Sequence, residues 1–148
     1  MIVKNLLDPE AKTELINRIQ KLNNASHAKW GKMNVGQMLA HMQVQMGVGL
    51  GTNTIPRRLI GMIFGPFAKK MMFNDKPFKK SLPTDKSFIM TGEKDFEKEK
   101  TGLIAMIEKF KEENLVKKPH PFFGKMTPEQ WGKGTWKHLD HHLQQFGV

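Results

Sequence analysis

The chain contains no cysteine. This excludes disulfides, thiolate nucleophiles and cysteine-ligated zinc, so any metal must be held by histidine or carboxylate. Tyrosine is missing too, and with it any phenol that could serve as acid or base. No apolar run reaches the roughly 18 residues of a membrane-spanning helix. Met1 to Leu7 lacks the long apolar stretch and cleavage site of a signal peptide, which predicts a cytoplasmic protein. No glycine-rich phosphate loop follows a strand pattern, since Gly47, Gly49 and Gly51 follow a helical one. A nucleotide cofactor is therefore not expected.

What is present suits one domain spanning 1–148, because 148 residues with 39% hydrophobic content can bury a core without staples. The formal net charge is +10. The excess concentrates between residues 56 and 86, where Arg57, Arg58, Lys69, Lys70, Lys76, Lys79, Lys80 and Lys86 face only Asp75 and Asp85. Such a stretch invites a nucleic-acid reading, but a solvated lysine-rich loop accounts for it more simply. Phe64, Phe67, Phe73 and Phe78, with Met62, Met71 and Met72, are expected to pack inside; contact with a membrane surface or a partner is the weaker alternative. The expectation is no specific nucleic acid and no membrane, with a homodimer left open.

Four main helices are predicted. Asp8-Pro9-Glu10 combines a cap, a first-turn proline and an acid, opening a helix over about residues 9 to 23. Asn34 caps a second, apolar on nearly every side, which glycines 47, 49 and 51 bring to an end. Asp95 to Asn114 is amphipathic, with Phe96, Leu103, Ile107 and Phe110 on one stripe. Thr127-Pro128-Glu129-Gln130 forms a capping box opening a helix that runs to about Phe146. Residues 52 to 91 form a long crossover that could hold a short helix between Ile55 and Phe73, interrupted at Pro66. A crossover of that length suits two consecutive helices running the same way. No convincing strand pattern occurs, so the fold class is all-α.

The informative stretch runs from Trp136 to Phe146. At about 100° per residue, His138 and His142 share an inward face with Trp131, Thr135, Leu139 and Phe146. Lys137, Asp140 and Gln144 fall opposite, and His141 lies off the face by about 60° or more. Two histidines one turn apart can meet one ion. The pattern is not a metalloprotease motif, because Leu139 stands where that motif has its glutamate base. The plain alternative is a pair of hydrogen-bonded core histidines. A third ligand would come from a facing helix, and His41 in the buried second helix is the best candidate. His27 is expected in an exposed loop. His120, between two prolines, is a candidate acid or outer-layer group, although a turn alone would explain it.

The combination Trp30-Gly31-Lys32-Met33, Gly36-Gln37-Met38-Leu39-Ala40-His41, His120-Pro121-Phe122-Phe123-Gly124 and His138-Leu139-Asp140-His141-His142-Leu143-Gln144-Gln145-Phe146 resembles the DinB-like superfamily. Within it, the chain is similar to a bacterial branch without an assigned function. The resemblance covers nearly the whole chain, least distinctively over residues 52 to 91. It implies a four-helix bundle with an up-down-down-up course. It also implies a metal triad of His41, His138 and His142 for a divalent ion such as zinc, nickel or manganese. Leu143 stands where better-known relatives carry arginine, which leaves open the ligand contacts of that arginine; Gln145 matches the family glutamine. The implied activity is metal-dependent thiol transfer to, or hydrolysis of, a small electrophile, with a low-molecular-weight thiol as one substrate class. Gln37, Gln145 and His120 are the polar candidates around the metal, and no residue is a convincing general base. The competing reading is a non-catalytic binding or interaction protein on the same bundle, its metal site vacant or purely structural.

Overall fold

A computed structural model describes residues 1–56 and 59–148, except the side chain of Ile60. The described residues are all-helical, with no named strand and one isolated bridge between His120 and Gly124. The helices are α1 (Pro9–Gln20), α2 (Val35–Leu50), α3 (Leu59–Met72), α4 (Phe96–Lys109) and α5 (Pro128–Gln145). Short 3-10 turns occupy Lys86–Phe88 and Glu112–Asn114. No helix among the described residues is long and apolar enough to cross a membrane.

The caps explain the boundaries. Asn34 Oδ1 accepts from the Gln37 N–H at 2.8 Å, and Gln37 Oε1 accepts from the Asn34 N–H at 3.0 Å. Thr127 and Gln130 make the same reciprocal pair at the start of α5. Each box satisfies two amides that the first turn leaves without helical partners. Asp8 precedes α1 in extended conformation, but its side chain makes no capping bond. Gly51 ends α2 with φ 77°, a left-handed conformation that costs glycine no steric penalty.

Helix α2 is central. It packs most extensively against α4 and also meets α5, while α1 packs against α4 and α5. Leu15, Ile19, Met38, Leu39, Met42, Leu103, Ile107, Leu139 and Leu143 are fully enclosed between them. Contacts along the helices fix their order. The Leu6 N–H donates to the Gly132 carbonyl at the start of α5, and Arg18 reaches Asp140 near its end. Gly36 lies against Lys94 before α4, whereas Gly49 lies against Trp131 of α5. A Cβ on Gly49 would stand 3.1 Å from the Trp131 ring, so glycine lets the end of α2 approach the start of α5.

The crossover departs from expectation. Pro66 does not interrupt its helix; α3, 14 residues in all, runs through it. Proline removes one i to i−4 bond, and the carbonyl it frees belongs to Met62, a residue on the exposed side of the helix. The expected packing of Phe64 and Phe67 is also overturned: they are 55% and 68% exposed. The inward face of α3 carries its small residues instead. A Cβ on Gly65 would lie 2.2 Å from the Phe122 carbonyl oxygen, so the helix sits down through glycine and turns its large residues outward. Phe73 and Phe78 are half-buried. Arg57 and Arg58 of the basic stretch lie outside the described residues.

Candidate metal centre

Three histidines meet where α2 and α5 face each other. His41, His138 and His142 each present a ring nitrogen, and these atoms lie within 4.8 Å of one another. The His138 and His142 rings are 4.6 Å apart between centroids, and His41 packs 4.7 Å from His142 and 5.0 Å from His138. His41 and His142 are buried, and His138 has its Nδ1 fully enclosed. His41 joins the cluster from α2, which packs against α5.

Backbone carbonyls set the tautomers of two rings. His41 Nδ1 lies 2.8 Å from the Phe88 carbonyl oxygen, in the 3-10 turn of the crossover. A carbonyl can only accept, so Nδ1 carries the proton and Nε2 keeps its lone pair. For His142 the chain is one link longer. The Gln145 side-chain N–H donates to the Trp30 carbonyl at 2.7 Å, which turns Gln145 Oε1 towards His142 Nδ1 at 2.8 Å. Nδ1 therefore carries the proton here too, and Nε2 is free to bind. His41 Nε2 lies 3.1 Å from His138 Nε2. Because His41 offers a lone pair there, His138 donates when no ion intervenes. His138 differs from the other two in lacking an outer partner at Nδ1.

Burial keeps the cluster neutral. Burial above all, with His41 and His141 adding to it and the bond to Gln145 opposing, holds His142 down at about 3. Burial holds His138 well below the usual imidazole range, with His142, His41 and His141 adding to it. His41 is lowered by burial and partly restored by its bond to Phe88. A neutral imidazole is the form that binds a metal. Among the described residues the cluster contains no carboxylate. The nearest in sequence, Asp140, accepts from Arg18 Nη1 at 2.7 Å and from Gln144 Nε2 at 2.7 Å, on the side facing α1.

The other candidates divide. Gln145 orients His142, as described. Gln37 does not join the histidines: it closes the α2 capping box and donates to the Gly92 carbonyl at 3.0 Å. His120 is also elsewhere. Its Nδ1 accepts from the Phe122 and Phe123 amides, both at 3.0 Å, and its ring packs on Phe123 and Trp131. It is thus built into the turn that closes between His120 and Gly124. His27 is exposed. A cavity of about 220 Å³, lined in part by Val48, Asn53, Val116 and Trp131, lies by the end of α2 and touches none of the three histidines.

Sequence reasoning missed the carbonyls of Trp30 and Phe88, which carry no side-chain signal. It also missed Lys137. That residue is 1% exposed, with its ammonium donating to the Met71, Met72 and Asn74 carbonyls at the end of α3. The ammonium also sits 4.6 Å over the Phe78 ring. His141 is half-buried beside the cluster, with Trp30 and Phe78 each 5.7 Å from its ring.

The chain belongs to the family described as protein of unknown function (DUF1569), whose model matches residues 1–147. No curated protein and no solved structure matches it.

Proposed function

We propose that this DUF1569 chain binds one divalent metal ion through Nε2 of His41, His138 and His142, and that it promotes thiol transfer to a small electrophile. The observation that carries the metal reading is the pair of fixed tautomers. Phe88 and Gln145 occupy the outer nitrogens of His41 and His142, so both inner nitrogens present lone pairs within 4.8 Å of the third ring. Outer partners of this kind orient metal-binding histidines generally. An ion held by these three histidines would supply Lewis-acid chemistry, stabilising a thiol as thiolate or lowering the pKa of water.

The chain's own residues supply position rather than proton transfer. His41 and His142 are held by carbonyl-anchored bonds, and Asp140 is committed to Arg18 and Gln144. With no carboxylate in the cluster, a thiol that reacts as its thiolate fits better than hydrolysis, which calls for a general base. The metal itself, as zinc, nickel or manganese, is left open by a neutral nitrogen set. A non-catalytic ion on the same residues is the second reading, favoured by the large cavity lying away from the histidines.

The reading extends to the fold: one domain, DinB-like, with α1, α2, α4 and α5 running up-down-down-up. Its support is the order of contacts. Leu6 meets Gly132 and Arg18 meets Asp140, so α1 and α5 share a direction. Gln43 of α2 bonds Glu99 of α4, and Gly49 reaches Trp131 of α5.

The test is metal content by plasma mass spectrometry on untagged protein purified without chelator, beside His142→Ala. About one equivalent in the wild type and far less in the variant is the expected result. No metal after incubation with zinc, nickel or manganese would end the metal reading. A loaded protein that turns over no thiol with any electrophile would leave the non-catalytic one.

A further inference from the structure

Helix α3 inverts the usual amphipathic arrangement. Gly61, Gly65 and Ala68 face the protein, while Leu59, Met62, Ile63, Phe64, Phe67 and Met71 are between 40% and 72% exposed. On an ideal wheel Leu59, Ile63, Phe64, Phe67 and Met71 fall within an arc of about 140°. None of the described α3 side chains belongs to the hydrophobic core or packs against it. The helix meets the rest of the chain at a few points. Gly61 and Gly65 sit against Phe122, Lys69 donates to the Lys125 carbonyl, and Lys137 holds its C-terminal carbonyls. The outward face thus groups large apolar side chains that a soluble surface usually carries singly.

Charge identifies what it fits. Between Leu59 and Lys80 the chain carries five lysines and one acid, Asp75. Lys70, Lys76 and Lys79 are exposed along this stretch, as is Lys80, whose ammonium sits 4.7 Å over the Trp30 ring. Two copies meeting through this face would bring the same basic stretches together, which opposes self-association. A nucleic acid would meet the lysines but leave the apolar arc in water. An anionic bilayer surface satisfies both: acyl chains receive the apolar arc and headgroups the ammonium groups, whose flexible stems can reach back to the interface.

We propose that α3 is a peripheral anchor that seats the protein on anionic membrane surfaces. The five large apolar side chains of this arc would enter the interface, with Lys70 between them on the wheel reaching back to the headgroups, while the bundle stays in water. This departs from the expectation of no membrane contact, which assumed that Phe64 and Phe67 pack inside. It does not depend on the histidine centre, so failure of either reading leaves the other standing.

The experiment is co-sedimentation of the full chain with phosphatidylcholine vesicles, with and without phosphatidylglycerol. Partition onto the anionic vesicles, weakened by salt and reduced at least about tenfold by Phe67→Glu, is the expected result. Ile63→Glu should act alike; both positions are exposed, and unchanged circular dichroism will verify folding. Lys76→Glu with Lys79→Glu should weaken binding while leaving the apolar arc intact. Three results would overturn the proposal. One is no partition onto anionic vesicles. Another is partition that Phe67→Glu and Ile63→Glu leave unchanged, which would mean charge alone. The third is a vesicle-free dimer at micromolar concentration that Phe67→Glu dissolves, which would assign the face to a second copy.

Discussion

Helices α5 and α3 touch through Lys137, yet they treat their residues in opposite ways. In α5 even charged groups are enclosed: Lys137 is 1% exposed and Asp140 5%. Each has partners, Lys137 in the carbonyls of α3 and Asp140 in Arg18 and Gln144. In α3 even phenylalanines face water. Side-chain polarity alone predicts neither. What separates the helices is whether neighbouring elements supply hydrogen bonds and packing on every side, as α1, α2 and α3 do for α5. Burying a charge is tolerable only when its bonds are replaced.

Four predictions probe that contrast. The largest effect should come from acid acting on the turn against which both helices rest. Burial pushes His120 down to about 4 from an ordinary 6.5. The unfolded chain therefore takes up the proton first, and the stability contributed by neutral His120 is intact above pH 6.5 and lost as pH falls towards 4. The loss is about 1.4 kcal/mol per pH unit, or about 3 kcal/mol in all. Urea unfolding of the wild type and His120→Asn between pH 7 and pH 4 (~3 units) would measure it. The asparagine oxygen can accept but does not titrate, so equal acid sensitivity in the two proteins would assign the loss elsewhere.

Lys137→Met keeps the apolar stem and removes the donor from the last two α3 carbonyls and from that of Asn74 just beyond the helix. A loss of about 2 kcal/mol is expected in the same assay, with protease cleavage rising first near residues 71 to 76. Uniform destabilisation without local cleavage would show that Lys137 does not pin α3. Gln145→Leu frees the His142 ring from the Trp30 carbonyl. Metal affinity should fall about tenfold, close to 1.4 kcal/mol, in a chelator competition. Phe67→Ser is the smallest. In solution it should change unfolding free energy by less than about 0.5 kcal/mol, as exposed positions generally do. A loss as large as a core deletion gives would mean α3 is packed in solution.

Much of the helical framework was legible because its signals are local. Asn34 and Thr127 mark helix starts through bonds spanning three residues, Pro128 through its fixed φ, and Gly51 marks an end. The spacing of His138 and His142 places both rings on one face. The crossover was less legible. Its apolar residues suggested a packed helix, and the direction they face depends on Phe122, which lies more than fifty positions later. Gln37 and His120 were drawn as candidates by their place in motifs, whereas their bonds belong to a cap and a turn.

The sequence by itself determined an all-helical chain without thiol or phenol chemistry, the helix starts, and the two histidines one turn apart. These follow from covalent chemistry and from interactions within a few residues. Only the tertiary structure decided that His41 meets that pair, that the Phe88 and Trp30 carbonyls fix which nitrogens face inward, and that α3 turns its large residues to water. Each of those depends on groups distant in sequence arriving at one point. A carbonyl's role as hydrogen-bond acceptor leaves no mark on the residue type that carries it.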